Sequence, residues 1–295
     1  VKKNTSFVTQ KQQLGTGHAV KQALKYLRPN SLSLVLYGDG PLVKKSTLTK
    51  LIASAQKGNL SLLTYRPDSP SGYGRIVRGK RGSVERIVEE KDATPEEKQI
   101  SEVNSGILAI KTKHLRALVK KIANKNAAKE YYLTDIIALA NEANIPVKAT
   151  IISDLKQVLG VNNSQELHDL ERHYQEDLAR QLIKKGTRVA DTSRVDIRGD
   201  LSSGKGSFID VNTVFEGTNK LGKNTSIGPN CYIKDSVIGD DVRVLPNTVI
   251  EDSIVGKGCS LGPFSRIRGG TVMDAGSELG NFVEANRSKV GQFSK

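Results

Sequence analysis

LGKNTSIGPNCYIKDSVIGDDVRVLPNTVIEDSIVGKGCSLG, residues 221–262, carries an apolar residue every six positions, often with glycine directly after it. Upstream, Ile197, Ile209, Phe215, Leu221, Ile227 and Ile233 stand on one ladder of six. A one-residue slip leads to Ile238, Val244 and Ile250, and a second slip to Val255, Leu261, Ile267, Met273 and Leu279. A helix repeats at about 3.6 residues and an alternating strand at about 2, so neither produces this ladder. A parallel β-helix does, because short strands stack and each repeat turns one side chain inward. Residues 187–295 are therefore expected to form a left-handed parallel β-helix of hexapeptide repeats, with Gly, Asn and Asp at its corners.

The preceding part has a different pattern. SFVTQ reads as a strand and HAVKQALKYL as a helix. LSLVLYGDGP is an apolar run of the kind buried on both faces, and STLTKLIASAQKG is an amphipathic helix with Ser46 as expected N-cap and Gly58 as stop. LSLLTY, SVERIVEE, NSGILAIK and VKATII read as strands, KHLRALVKKIANK and LTDIIALANEA as helices. Such alternation predicts an open, mostly parallel sheet covered by helices over residues 1–162. NSQELHDLERHYQEDLARQLIKKG reads as one long helix joining the two parts over 163–186, with Asn163 and Glu166 spaced as a capping box.

Composition narrows the function. The 295 residues are 37% hydrophobic and 26% charged, ordinary for two globular domains. No apolar run approaches the roughly 20 residues a membrane span requires. The N-terminus carries no signal pattern, and Cys231 and Cys259 form no pair motif, which points to a reducing cytoplasm. The net charge of +14 suits either an anionic partner or a solvated lysine-rich surface. The basic residues form no block and the aromatics, at 5% with no Trp, form no stacking platform, so nucleic-acid binding is not expected.

Individual motifs carry chemistry only weakly. Gly15 and Gly17 in QLGTGHA admit a ligand close to the backbone at a helix start, or simply make a turn. Asp39 in YGDGP lies at the carboxyl end of a strand, where open sheets bind ligands, and suits Mg²⁺ as well as it suits a turn. GYGRIVR and IVEEKDA read as a glycine loop with a polar strand end, or as a hairpin. Asn104 offers an amide to a sugar hydroxyl, and capping accounts for Asn163 but not for Asn162.

Taken in order, QLGTGHA, YGDGPL, GYGRI, IVEEKDA, EVNSGILA, YYLTDII and GVNN, followed by the hexapeptide repeats, closely resemble one family. It is the bifunctional bacterial N-acetylglucosamine-1-phosphate uridylyltransferase/glucosamine-1-phosphate acetyltransferase, and the resemblance covers essentially the whole chain. It implies a Rossmann-like nucleotidyltransferase domain that makes UDP-N-acetylglucosamine from UTP and N-acetylglucosamine 1-phosphate with Mg²⁺. Gln10, Gly15 and Thr16 match its uracil and nucleotide positions, and Tyr37, Gly38, Gly74, Glu89 and Asn104 its sugar side. Asp39 and Asn162 match the two metal ligands. The β-helix half would acetylate glucosamine 1-phosphate with acetyl-CoA as a homotrimer, and Arg268 matches a sugar-phosphate-binding arginine.

Departures from the pattern matter too. Asn286 stands where the family has a binding lysine, and the adjacent Arg287 is expected to point to the other face. The family's glycine-rich phosphate loop lies upstream of Val1, and its catalytic histidine and acetyl-CoA coils lie beyond Lys295. His18, His114, His168 and His173 all precede the β-helix. The chain thus reads as an internal fragment with little or no uridylyltransferase activity of its own and a tendency to aggregate. The competing readings are another sugar-1-phosphate nucleotidyltransferase and a non-catalytic assembly subunit on the same fold.

Overall fold

The computed structural model describes residues 5–295. They divide into two compact units, one through Asn162 and the other from Asn163.

The first unit is built on a six-stranded sheet: β1 (Leu32–Val35), β2 (Leu60–Tyr65), β3 (Arg75–Arg78), β4 (Val84–Val88), β5 (Val103–Lys111) and β6 (Val147–Ile151). Its helices are α1 (Thr16–Ala23), α2 (Lys45–Gln56), α3 (Pro95–Lys98), α4 (Thr112–Val119) and α5 (Ile136–Glu142). β2 pairs in parallel with β6, while β5 pairs antiparallel with β1, β2 and β3, and β3 with β4. β1, β2, β3 and β6 therefore point the same way, and β5 is inserted among them against the grain. The sheet is mixed, with most strands aligned but most pairings antiparallel.

Period-two alternation decides which helix covers which face. Leu60, Leu62, Leu108 and Ile110 pack with Leu115 and Leu118 of α4 and Ile136 and Ile137 of α5. Leu63, Ile107 and Ala109 face the other way, onto Leu51 and Ala55 of α2. Three local expectations are corrected. Residues 6–10 form no strand, and Phe7 stands in solvent. β1 is half-buried rather than enclosed, because among the described residues it pairs on one side only, with β5. α2 starts at Lys45 with no side-chain cap from Ser46; the Lys44 N–H instead donates to Gln157 Oε1 at 3.3 Å.

The second unit opens with α6 (Ser164–Lys184). Asn163 caps the helix as expected, its Oδ1 accepting from the Glu166 N–H at 2.9 Å, while Glu166 Oε1 accepts from the Asn163 side-chain amide at 2.8 Å. The helix also closes the β-helix that follows. Leu182 and Leu178 pack on the solenoid core, and buried Gln175 takes both backbone groups of Ile197, accepting from N at 2.7 Å and donating to O at 3.1 Å.

From Arg188 onward, short parallel strands stack into coils, as the six-residue ladder requires. One sheet stacks Ile209, Ile227, Val244, Leu261 and Leu279. A second stacks Ile197, Phe215, Ile233, Ile250, Ile267 and Ala285, and a third stacks Leu221, Ile238, Val255, Met273 and Val290. The ladder residues from Ile197 to Met273 are buried, each contributing about 1.5–3 kcal/mol. A second inward column, two residues before each rung, holds Val195 and Val242 and otherwise small or polar residues, Ser207, Thr213, Asn219, Thr225, Cys231, Ser236, Thr248, Ser253, Cys259, Ser265, Thr271 and Ser277, all buried. Many of these side chains bind backbone carbonyls at the corners, as Thr225 Oγ1 does to Gly239 O at 2.7 Å. Both cysteines belong to this column and are free thiols. The corners adopt left-handed backbone at Asn212, Asn230, Asn247, Asp235 and Asp252, the residue types that tolerate it best after glycine.

Candidate functional site

The first candidate group surrounds the start of α1. Gly15 has φ +104°, and a Cβ there would lie 2.7 Å from Tyr131 O, so only glycine permits the approach. The Gly17 N–H donates to the same carbonyl at 2.7 Å, and Tyr131 N–H to Leu14 O at 2.8 Å. Thr16 Oγ1 accepts from the Leu133 N–H at 3.0 Å. Gln10 folds back on this turn, with Nε2 3.2 Å from Gly15 O. The structure thus brings Gln10, Gly15 and Thr16 together, braced against the Tyr131–Leu133 segment.

Tyr37 and Asn104 of the second group line a solvent-open cleft, with Gly106 and Thr134, over a floor that includes Leu62, Ile87, Leu108 and Ile137. β3 and β4 form the hairpin alternative for GYGRIVR and IVEEKDA. That hairpin puts Gly74 beside Glu89, since a Cβ on Gly74 would lie 3.1 Å from Glu89 Oε2. Asn104 N–H donates to Gly74 O at 2.9 Å, and Asn104 Oδ1 accepts from Gly106 N–H at 3.0 Å. Thr134 Oγ1 donates to Glu89 Oε1 at 2.7 Å. Burial pushes the Glu89 carboxyl up, against the Thr134 hydrogen bond, with Asp92 and Glu130 adding to the rise. Burial and the charges of Glu89 and Asp39 likewise raise the Tyr37 phenol. Gly38 has open space around its Cα, leaving the backbone accessible.

Asp39 is far in sequence from residues 160–161, which lead into Asn162, yet the two segments adjoin. Val161 N–H donates to Asp39 O at 3.0 Å, and a Cβ on Gly160 would sit 3.2 Å from Asp39 Oδ2. The two loops are clamped from behind. Buried Gln157 accepts at Oε1 from Thr47 Oγ1 at 2.6 Å and from Lys44 N–H, while Lys44 Nζ pairs with Asp154 at 2.6 Å. A carboxylate and a carboxamide are hard oxygen donors that fit Mg²⁺, which takes one or two protein ligands and completes its shell with phosphate oxygens and water. No cluster of three or more His, Cys, Asp or Glu suited to a metal occurs among the described residues.

In the second unit, Arg268 is exposed on the outer side of its strand, with Nη1 3.0 Å from Glu284 Oε1 and Asn286 as its register partner on the next coil. Arg287 is not an inward strand neighbour, as expected from sequence; it is an exposed corner residue at φ +47°, and Ala285 turns inward instead.

Four participants were not singled out by sequence reasoning: His18, Gly106, Thr134 and Gln157. His18 and Thr134 lie inside the motifs QLGTGHA and YYLTDII, which gave a place but no role. Gly106 lies inside EVNSGILA, which likewise gives a place but no role, and nothing local marks Gln157.

A family model described as nucleotidyl transferase matches residues 1–155, and one described as GMPPB C-terminal domain matches residues 197–293. The chain is similar to the bifunctional protein GlmU of Marinobacter nauticus, 48% identical over 292 residues that cover 99% of this chain and 64% of the relative. The GlmU of Paraburkholderia phytofirmans is 46% identical over 292 residues, with the same shares, and that of Methylococcus capsulatus 46% over 291, covering 98% and 63%. The chain spans 64% of the length of the first of these curated relatives.

Proposed function

Because the chain belongs to the nucleotidyl transferase family, we propose that its first unit serves UDP-N-acetylglucosamine synthesis, transferring UMP from UTP to N-acetylglucosamine 1-phosphate. The observation that carries this reading is the joining of two recognition groups through one segment. Residues 131–134 brace the Gln10–Gly15–Thr16 turn at one end and hold Glu89 at the other. Gln10, Gly15 and Thr16 would receive the uracil and nucleotide. Tyr37, Gly38, Gly74, Glu89 and Asn104 would receive the sugar, with Glu89 and Asn104 taking its hydroxyl and amide groups and the apolar floor taking the acetamido methyl.

Asp39 and Asn162 would hold Mg²⁺, which when bound supplies charge neutralisation at the phosphates. The chain's own contribution is alignment. It holds the sugar-phosphate oxygen in line with the α-phosphate of UTP, so that a P–O bond forms as pyrophosphate leaves, a transfer that depends mainly on positioning. The second unit, through Arg268, would belong to the acetyl-CoA-dependent acetylation of glucosamine 1-phosphate in a homotrimer of the whole protein. No helix among the described residues is long and apolar enough to cross a membrane.

Calorimetry of the purified chain against UDP-N-acetylglucosamine, ADP-glucose, GDP-mannose and CDP-glucose tests the proposal. UDP-N-acetylglucosamine is expected to bind at least tenfold more tightly than the others, with Asp39→Ala removing the Mg²⁺-dependent part. Preference for another sugar nucleotide would favour a different sugar-1-phosphate nucleotidyltransferase, and binding of none would favour the assembly subunit.

A further inference from the structure

We propose that His18 sets the base preference of the nucleotide site by holding the Gln10 side-chain amide in one orientation. The inference rests on the reading that Gln10 meets the base. His18 and Gln22 both belong to α1, one turn apart, and Gln10 lies on the loop before it. Gln10 Nε2 is 3.2 Å from Gly15 O and 3.0 Å from His18 Nδ1.

A carbonyl oxygen can only accept, so Gln10 must present its NH₂ end to Gly15. That group has two hydrogens. One goes to Gly15 O, and the other is aimed at Nδ1, which must then be the accepting nitrogen of a neutral ring. The ring proton sits on Nε2, 3.0 Å from the Gln22 side-chain amide. Gln22, one turn along the helix, sets its amide nitrogen 3.0 Å from this ring nitrogen and 3.4 Å from His18 O; that carbonyl contact is longer than the 3.2 Å contact that orients Gln10, so the Gln22 amide is the one assigned with its oxygen toward Nε2–H. Tyr131 flanks the imidazole, with ring centroids 6.1 Å apart.

Gln10 has then committed both hydrogens, and Oε1 is what it has left to offer. Among the described residues no donor meets that oxygen. An acceptor at this place complements a base edge with an imide N–H, such as N3–H of uracil. It opposes the N3 lone pair of cytosine. A glutamine free to turn over would serve both edges equally, so discrimination comes from the ring that prevents the turn. His18 touches no ligand in this scheme and is a positioning residue.

The test measures UDP and CDP binding to the full chain by calorimetry. The wild type is expected to prefer UDP, and His18→Leu to cut the UDP-to-CDP affinity ratio about tenfold or more. His18→Gln, which keeps an acceptor at that place, is expected to retain most of the preference, and thermal midpoints by circular dichroism confirm that each variant folds. An unchanged ratio in folded His18→Leu, or equal losses for UDP and CDP, would overturn the inference while leaving the base site intact. A wild-type chain that binds neither UDP nor CDP overturns the underlying site assignment and this inference with it.

Discussion

Replacing Gly106 with alanine separates the cleft proposed to take the sugar from the fold that carries it. The substitution has two costs that can be worked from the structure. Gly106 has φ +77°, a region where an L-residue pays about 1–2 kcal/mol. The new Cβ would also lie 1.9 Å from Tyr37 Cε2 and 2.4 Å from Cζ. Ordinary carbon contacts are about 3.5–4.0 Å, so the ring must retreat by roughly 1.5–2 Å. Tyr37 is already 42% exposed, so the ring can swing outward without emptying the core. The stability loss should therefore stay near the backbone cost of about 1–2 kcal/mol, a shift of roughly 2–8 °C in melting temperature for a unit of this size. The binding loss should be larger, because the displaced ring leaves its place on the cleft wall. Calorimetry is expected to give at least a tenfold drop in UDP-N-acetylglucosamine affinity, with UDP affinity unchanged. If the ring carries the effect, Gly106→Ala adds nothing to a Tyr37→Ala background. Additive losses in the double variant, or an equal loss for UDP, would refute the reasoning.

Asp135 supplies a pH-dependent prediction. Burial first, then the charges of Glu89 and Asp92, push its carboxyl from 3.8 up to about 6. Because the folded-state value lies above the unfolded one, its contribution to stability is complete below about pH 4 and is lost as the pH rises through about 6. A shift of roughly two units, reduced for partial solvent exposure, corresponds to about 1–2 kcal/mol. Asp135→Asn is accordingly expected to be more stable than wild type by that amount at pH 8 and nearly equal at pH 4, as read by urea unfolding; a difference constant across that range would contradict it. Burial also pushes the Cys231 thiol up to about 11, so this thiol should resist a disulfide reagent at pH 8 in the folded chain and react on addition of denaturant; rapid reaction in the native state would count against its inward place.

The β-helix was legible because its signal is periodic and local. Each apolar rung names its own position, and the slips in the ladder fall where 17-residue coils replace 18-residue ones, as the spacings Asp235–Thr218 and Asn230–Asn212 illustrate. The second inward column escaped notice because Ser, Thr and Asn read as surface residues. Their burial is tolerated only because stacked corners supply carbonyl partners that a single repeat does not reveal. In the first unit the strands and most helices were legible from alternation and length. SFVTQ has strand composition but forms no strand, because composition decides nothing without a neighbour to pair with. The direction of β5 could not be read at all, since no local residue pattern distinguishes a strand that runs against its neighbours.

The same division between local signal and tertiary partner runs through the site. Glycines at Gly15, Gly74 and Gly106 announce close approaches, but not what approaches. Asp39 and Asn162 look like turn residues in isolation, and the loops that carry them are tied through Gln157, a side chain with no motif around it. The amide of Gln157 is buried, so leaving its oxygen unpaired would cost about 1–3 kcal/mol. The partners that remove that cost, the Lys44 N–H and the Thr47 hydroxyl, lie at the start of α2, directly after the loop that carries Asp39. Gln157 itself lies in the segment leading to Asn162. Satisfying one buried amide therefore ties together the two loops that carry Asp39 and Asn162. The approach of these two loops is thus supported by polar satisfaction within the fold.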